Sequence, residues 1–280
     1  MDNFSTPADL TRVTLLDDLG ALASQAAVAI MRVRMGGASV RSKADASPVT
    51  EADEAAEAII LEGLARILPG IAVVSEEAAS LTQTTHVPDT FILVDPLDGT
   101  REFIAGRDEF TVNIAIIHDG RPVSGIVGTP ALDTIWRGAL NSGADRLQLA
   151  CGAHPRDAKS RTQLRTSPHK GETWRAMVSR SHADPATEQW LKRFPAIECM
   201  DCGSSVKFCR IAEGRADVYP RLGQTSEWDI AAGDAVLSAA GGIVLTPDGE
   251  KLRYGQVARN LKVPAFVAWC DATDAQKFSA

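Results

Sequence analysis

The sequence predicts an α+β fold built in layers, and three observations carry that expectation. Short apolar, β-rich runs follow one another in meander order, and Ala- and Leu-rich helical stretches fall between them. Neither a strict βαβ alternation nor a repeat of fixed period is present. Its 280 residues suffice for one large domain or two fused halves with a substantial core.

Each element follows from local pattern. Residues 15 to about 33 are Ala- and Leu-rich, with no Gly after Gly20 and no Pro, which predicts a helix that Gly36-Gly37 ends. A polar, turn-prone stretch from Ser42 through Lys43 to Pro48 leads to Thr50. This is a candidate N-cap with Asp53 at the third helical position, opening a second helix that stops at Pro69-Gly70. Residues 71–74 read as a strand ending in Ser75-Glu76-Glu77, and residues 91–94 as a strand ending in Asp95. Residues 110–118 and 123–128 are joined at Asp119-Gly120, a hairpin signal. Residues 135–139 and 147–149 continue the strands.

The polar, basic stretch 151–173 reads as a connection between an N-terminal α+β half, 1–150, and a C-terminal α/β half, 174–280, within one structural unit. In the second half, strands are expected at 174–179, 216–219, 243–245 and 265–268. Helices are expected at 185–194, 204–213 and 227–240, the last closed by Gly241-Gly242.

Composition bounds the function. The chain is 45% hydrophobic and 23% charged, as ordinary soluble globular proteins are, and no window approaches eighteen uninterrupted apolar residues, so no integral membrane span is expected. A net charge of −7 argues against a nucleic-acid polymer as partner but leaves room for a small anion held through cations. The opening Met1-Asp2-Asn3-Phe4-Ser5 does not resemble a secretion signal, and an odd count of five cysteines suggests reduced thiols. A cytoplasmic protein is expected, with peripheral association at the inner membrane left open. No GxGxxG or Walker A loop is present.

The chemistry concentrates at Val94-Asp95-Pro96-Leu97-Asp98-Gly99-Thr100. Proline lacks an N–H and fixes φ, so strand pairing is expected to stop at Pro96 and free Asp95 and Asp98 to turn towards one point. Gly99 permits close backbone approach, and the amides of Gly99 and Thr100 could receive an anion. A plain Asp-Pro-Gly turn is the competing reading. Glu76 ends a neighbouring strand as Asp95 does, so Glu76, Asp95 and Asp98 could share metals. Asp229 opens the 227–240 helix, where an N-terminal capping charge is the alternative. Glu77 is expected to face solvent or border the site. Oxygen-only ligands select a hard cation, Mg²⁺ above all. Paired cations lower the pKa of a bound water and neutralise phosphoryl oxygens, which points to phosphate-ester hydrolysis. Thr100 could orient that water and Asp53 take its proton, although Asp53 serves equally well as a helix-capping carboxylate. An aspartyl-phosphate route wants acid-x-acid spacing, and Asp95 and Asp98 are one residue too far apart.

Glu76-Glu77, Asp95 to Thr100 and Trp228-Asp229-Ile230-Ala231-Ala232-Gly233 closely resemble the three signatures of the inositol monophosphatase superfamily, Mg²⁺-dependent and lithium-sensitive phosphatases. The resemblance implies an αβαβα sandwich of the sugar-phosphatase type with the site between two halves. It implies that Glu76, Asp95, Asp98, Asp229 and the carbonyl of Leu97 hold two or three Mg²⁺. Gly99 and Thr100 would hold phosphate, and Asp53 would pair with Thr100.

Ser47-Pro48-Val49-Thr50, Gly99-Thr100-Arg101-Glu102-Phe103, Val178-Ser179-Arg180-Ser181-His182, Gly203-Ser204-Ser205-Val206-Lys207-Phe208-Cys209 and Tyr219-Pro220-Arg221 most resemble the CysQ-type branch, the 3′(2′),5′-bisphosphate nucleotidases of sulfur metabolism. That branch implies Ser204 and Lys207 at a nucleotide's second phosphate or ribose, and Ser181 and His182 near the adenosine. Lys43 would lie in a mobile loop over the site. The expected reaction is hydrolysis of the 3′-phosphate of adenosine 3′,5′-bisphosphate to AMP, with 3′-phosphoadenylyl sulfate a second substrate. Inositol phosphates or fructose 1,6-bisphosphate on the same metals are the alternative, and a homodimer is compatible with the family. Thr225-Ser226-Glu227 departs from the branch pattern beside the substrate. Arg101 and Glu102 read as a loop ion pair, and Cys199 and Cys202 as strand-end thiols packed in the core.

Overall fold

The computed structural model describes residues 7–37, 40–42, 48–81, 84–181 and 184–278. Seven strands form the first sheet, in the order Ala72–Ser75, Thr90–Asp98, Thr111–His118, Arg121–Thr129, Thr134–Ala139, Gly143–Gln148 and Ser160–Leu164. The first pair is parallel and the rest form an antiparallel meander. Ser160–Leu164 lies inside the stretch expected to be a bare connection. Its side chains are mostly exposed, so an edge strand here has no apolar alternation to read.

Side-chain alternation assigns the two faces of this sheet. Ile92, Val94, Ile114 and Ile116 point into a core shared with helices Val13–Gly36 and Glu51–Ile67. Phe91, Leu93, Ala115 and Ile117 point the other way, into a core shared with helices Val206–Ala212 and Glu227–Ala239. Behind that helical layer lies a second sheet, ordered Ile197–Cys202, Trp174–Ser179, Val218–Arg221, Phe266–Trp269 and Ile243–Leu245. Its outer face packs Trp174, Trp190, Phe194 and Trp269 with helices Pro185–Leu191 and Ala272–Phe278. The result is the αβαβα sandwich.

Val13–Gly36 is long and apolar enough to cross a membrane by composition, yet ten of its residues, Leu15 to Ile30, are buried in the first core. The helix Glu227–Ala239 approaches the first sheet where that sheet carries glycine. A Cβ on Gly125 would stand 2.5 Å from the Ala232 carbonyl, and one on Gly138 2.6 Å from Val236 Cα. Asp119 and Gly120, at φ 50° and 70°, make the tight hairpin turn expected. The short helix Ala272–Phe278 was not foreseen.

Two local readings need correction. Pairing does not stop at Pro96: Asp95 pairs with Asn113, the register slips, and Asp98 pairs with Thr111. The irregularity between Asp95 and Asp98 is a bulge-like step that re-aims side chains without ending the strand. Cys199 and Cys202 lie on one strand, three residues apart and so on opposite faces, with Cys199 exposed and only Cys202 buried.

Candidate active site

Both strands that end at the site run in the same direction. Ser75 pairs with Val94, so Glu76 and Asp95 emerge side by side. Asp229 arrives from the layer beneath, at the start of Glu227–Ala239. Oxygens of Glu76, Asp95 and Asp229 all lie within 4.8 Å of one another. Asp98 stands beside this trio, its Oδ2 accepting from the Ser205 amide at 2.7 Å and the Thr111 hydroxyl at 3.4 Å.

The electrostatics of this cluster call for a cation. Burial pushes the Asp95 carboxyl well above the usual carboxylate range, and Glu76, Asp98 and Asp229 push it further. Burial also lifts Asp98, to about 7, with Asp229 adding to the rise while Lys207 and the Ser205 amide oppose it. Like charges around a buried carboxylate raise its pKa until a cation compensates them. An all-oxygen donor set of this kind fits a hard divalent ion.

Asp53 and Asp229 are both the third helical residue of a capping box. Asp53 Oδ2 accepts from the Thr50 amide at 2.8 Å and the Thr50 hydroxyl at 2.7 Å, while its Oδ1 accepts from the Thr100 hydroxyl at 3.2 Å. The same hydroxyl lies 3.2 Å from the Leu97 carbonyl. Asp229 Oδ2 accepts from the Ser226 amide at 2.8 Å and from the Thr225 hydroxyl. Gly99, at φ 90°, caps the helix Thr100–Ile104, and a Cβ there would stand 3.1 Å from the Glu109 carbonyl.

A cavity of about 300 Å³ opens beside these carboxylates. Ser204 and Lys207 line it, from the turn and helix that follow strand Ile197–Cys202. Ser204 has φ 48°, and its buried hydroxyl has no hydrogen-bond partner. Lys207 is 3% exposed, not the surface lysine a helix position suggests, and its ammonium donates to the carbonyls of Ser204 at 2.5 Å and Cys202 at 3.3 Å. Burial lowers its pKa.

Ser181 does not line this cavity, but donates to Glu102, which does. Glu102 is buried in the helix Thr100–Ile104, and Arg107 at 3.9 Å is its ion partner, so the expected loop pair with Arg101 is replaced by this arrangement. Glu77 is buried too, contrary to a solvent-facing role. His182 and Lys43 lie outside the described residues.

This geometry has known counterparts. A model of the inositol monophosphatase family matches residues 14–269. The chain belongs to the inositol monophosphatase family. Members of this family are generally metal-dependent, in keeping with the carboxylate trio. Within the family, the chain is similar to the 3′(2′),5′-bisphosphate nucleotidase CysQ of Escherichia coli (strain K12). The two are 40% identical over 242 residues, covering 86% of this chain and 94% of the relative. The CysQ of Buchnera aphidicola is 35% identical over 247 residues, covering 88% and 89%. A crystal structure of CysQ from Bacteroides thetaiotaomicron superposes with a TM-score of 0.74 at 31% identity, covering 91% of this chain and 96% of that one. An inositol monophosphatase of Thermotoga maritima, 20% identical, shares the fold with a TM-score of 0.70 over 92% of this chain and 93% of its own.

Arg221, whose Tyr219-Pro220-Arg221 motif carried no site role, and Lys262, which no motif announced, also line the cavity. Arg221 ends strand Val218–Arg221, with its Nε buried and unpartnered. Lys262 lies on the two-residue strand Lys262–Val263, which pairs with Thr225–Ser226. Only the pairing of segments far apart in sequence brings Lys262 to the site. A lone basic residue near a strand end carries no signal of its own.

Proposed function

We propose that this chain is a Mg²⁺-dependent phosphatase that removes the 3′-phosphate of adenosine 3′,5′-bisphosphate, giving AMP and inorganic phosphate, with 3′-phosphoadenylyl sulfate a second substrate. One observation carries the reading: a single cavity has an acidic cage at one end and unsatisfied polar and cationic groups, Ser204 and Arg221, on its walls. A substrate with two anionic groups fits such a cavity, since the cage takes one through its cations and the walls take the other. The names borne by the CysQ relatives support the same substrate class.

Glu76, Asp95, Asp98, Asp229 and the Leu97 carbonyl would hold two or three Mg²⁺. When bound, the ions supply Lewis-acid neutralisation of the phosphoryl and leaving oxygens and acidify water. The protein supplies placement and proton transfer. Thr100 Oγ1 donates to Asp53, so its lone pairs are free to accept from an attacking water. The proton leaves the water for Thr100 Oγ1 as the Thr100 proton moves to Asp53 Oδ1. The Thr50 amide and hydroxyl hold the other Asp53 oxygen and fix the carboxylate plane. The Gly99 and Thr100 amides, at a helix start, would receive the phosphate. Ser204 and Lys207 serve the second phosphate or ribose, and Ser181 orders the adenosine side through Glu102.

Phosphate release from a substrate panel with Mg²⁺ tests the reading. Adenosine 3′,5′-bisphosphate should turn over far better than inositol 1-phosphate or fructose 1,6-bisphosphate. The opposite order defeats the assignment.

A further inference from the structure

Among the described residues two lysines line the cavity, and their donors are committed differently. An ammonium has three N–H donors. Lys207 places two of them on backbone carbonyls and stacks its charge 5.2 Å from the Tyr219 ring centre, so much of its capacity goes into holding the Cys202–Lys207 turn. Lys262 is half-buried, and its ammonium donates to one neutral group, the Ser226 hydroxyl at 2.8 Å. Among the described residues no carboxylate lies within ion-pair distance of it. It therefore presents a charge and two spare donors at the cavity wall.

The surroundings of Lys262 fix where that charge sits. Ser226, its strand-pair partner, caps the helix that carries Asp229, so the ammonium is tied to the wall next to the metal cage. Arg221 lies on the same wall, five residues before Ser226, with a guanidinium N–H donating to the Gln224 carbonyl at 3.3 Å and its buried Nε unpartnered. A half-buried cation without a carboxylate, beside an arginine with an unused donor, is the environment of a bound anion.

We propose that Lys262 is a specificity-determining residue that contacts the substrate's second anionic group, the phosphate retained in the product. The assignment rests on the bisphosphate reading of the cavity. It accounts for the departure at Thr225-Ser226-Glu227, because this segment is the partner strand that carries Lys262 into the site.

The test compares the wild type with Lys262→Met and Lys262→Arg, using adenosine 3′,5′-bisphosphate and adenosine 3′-monophosphate as substrates. Losing a charge-assisted hydrogen bond should raise KM for the bisphosphate in K262M roughly tenfold or more. The 3′-monophosphate KM, kcat and the Mg²⁺ requirement should stay near wild type, and K262R should recover most of the loss. Calorimetric binding of 5′-AMP should weaken in K262M by the same factor, with adenosine binding unchanged. A wild type that does not prefer the bisphosphate overturns the functional reading and this assignment with it. A preference present in the wild type and unchanged in K262M overturns the Lys262 assignment alone. Equal KM losses for both substrates, or a shifted Mg²⁺ requirement, also overturn it, because they mark a merely structural bond to Ser226.

Discussion

Removing the metal should make this protein's stability fall as pH rises, in a window set by the cage. With no cation present, burial and the neighbouring Asp229 hold the Asp98 carboxyl at about 7 against an ordinary value of 3.8. A group whose folded pKa lies above its unfolded one is more protonated when folded. Its stabilising effect is complete below about pH 4 and is lost as pH climbs through about 7. A rise from 3.8 to about 7 corresponds to roughly 4 kcal/mol. Asp95, raised for the same reasons, acts with the same sign.

Other buried carboxylates, such as Glu213 and Asp217, are held low by arginines and hydrogen bonds and act with the opposite sign, so absolute stability is a mixture. The difference between Mg²⁺-loaded and chelator-treated protein cancels them. Thermal unfolding of both forms from pH 5 to 8 reads that difference directly. The gap should be near zero at pH 5, where protons occupy Asp95 and Asp98, and grow to roughly 10 °C at pH 8 for a chain of this size. A gap that is constant with pH, or largest at pH 5, would refute the idea that these carboxylates bind cations together.

Four further outcomes follow from specific contacts. Thr100→Val keeps the shape but removes the hydroxyl that joins Asp53 to the cavity; turnover should fall by roughly 100-fold or more, with thermal stability nearly unchanged. Asp229→Asn retains an oxygen for the Ser226 amide, so urea unfolding should shift by less than about 1 kcal/mol, while the Mg²⁺-induced stabilisation is lost. Gly125→Ala pushes a methyl to 2.5 Å from the Ala232 carbonyl, which should cost about 1–3 kcal/mol in urea unfolding. Because this displaces the helix carrying Asp229, the Mg²⁺ requirement should rise as well. Cys199 is exposed, whereas Cys202, Cys151 and Cys270 are pushed by burial to about 11, 11 and 12, so mass spectrometry after brief alkylation should find Cys199 modified first.

The layered fold and the acidic cage were legible because their signals are local. Residues 91–94 and 71–74 are continuous apolar runs, the first followed at once by Asp95 and the second, after Ser75, by Glu76, so predicting the strands also predicted where the acids emerge. The edge strand Ser160–Leu164 escaped because one exposed ladder needs no apolar alternation. Lys262 escaped because its position depends on a strand pair between residues 225–226 and 262–263, and no spacing rule spans that interval. Lys207 sits between these cases: its motif marked it, but its burial reflects a tertiary packing that helical position alone argues against.

Asp53 and Asp229 show why a helix-capping signal and a place in the candidate site fall on the same residues. A carboxylate at the third helical position is pinned through one oxygen by the N-cap residue's amide. That bond fixes the side-chain rotamer and so aims the second oxygen. At Asp53 the second oxygen meets Thr100. At Asp229 both bonds fall on Oδ2, and the side chain still lies within 4.8 Å of Glu76 and Asp95. Capping is thus the means by which two acids from separate helices are held in fixed rotamers, and the local signal and the place in the candidate site follow from a single hydrogen-bond geometry. Where a capping box opens a helix directed at a strand end carrying carboxylates, its third residue belongs in the candidate site for that reason.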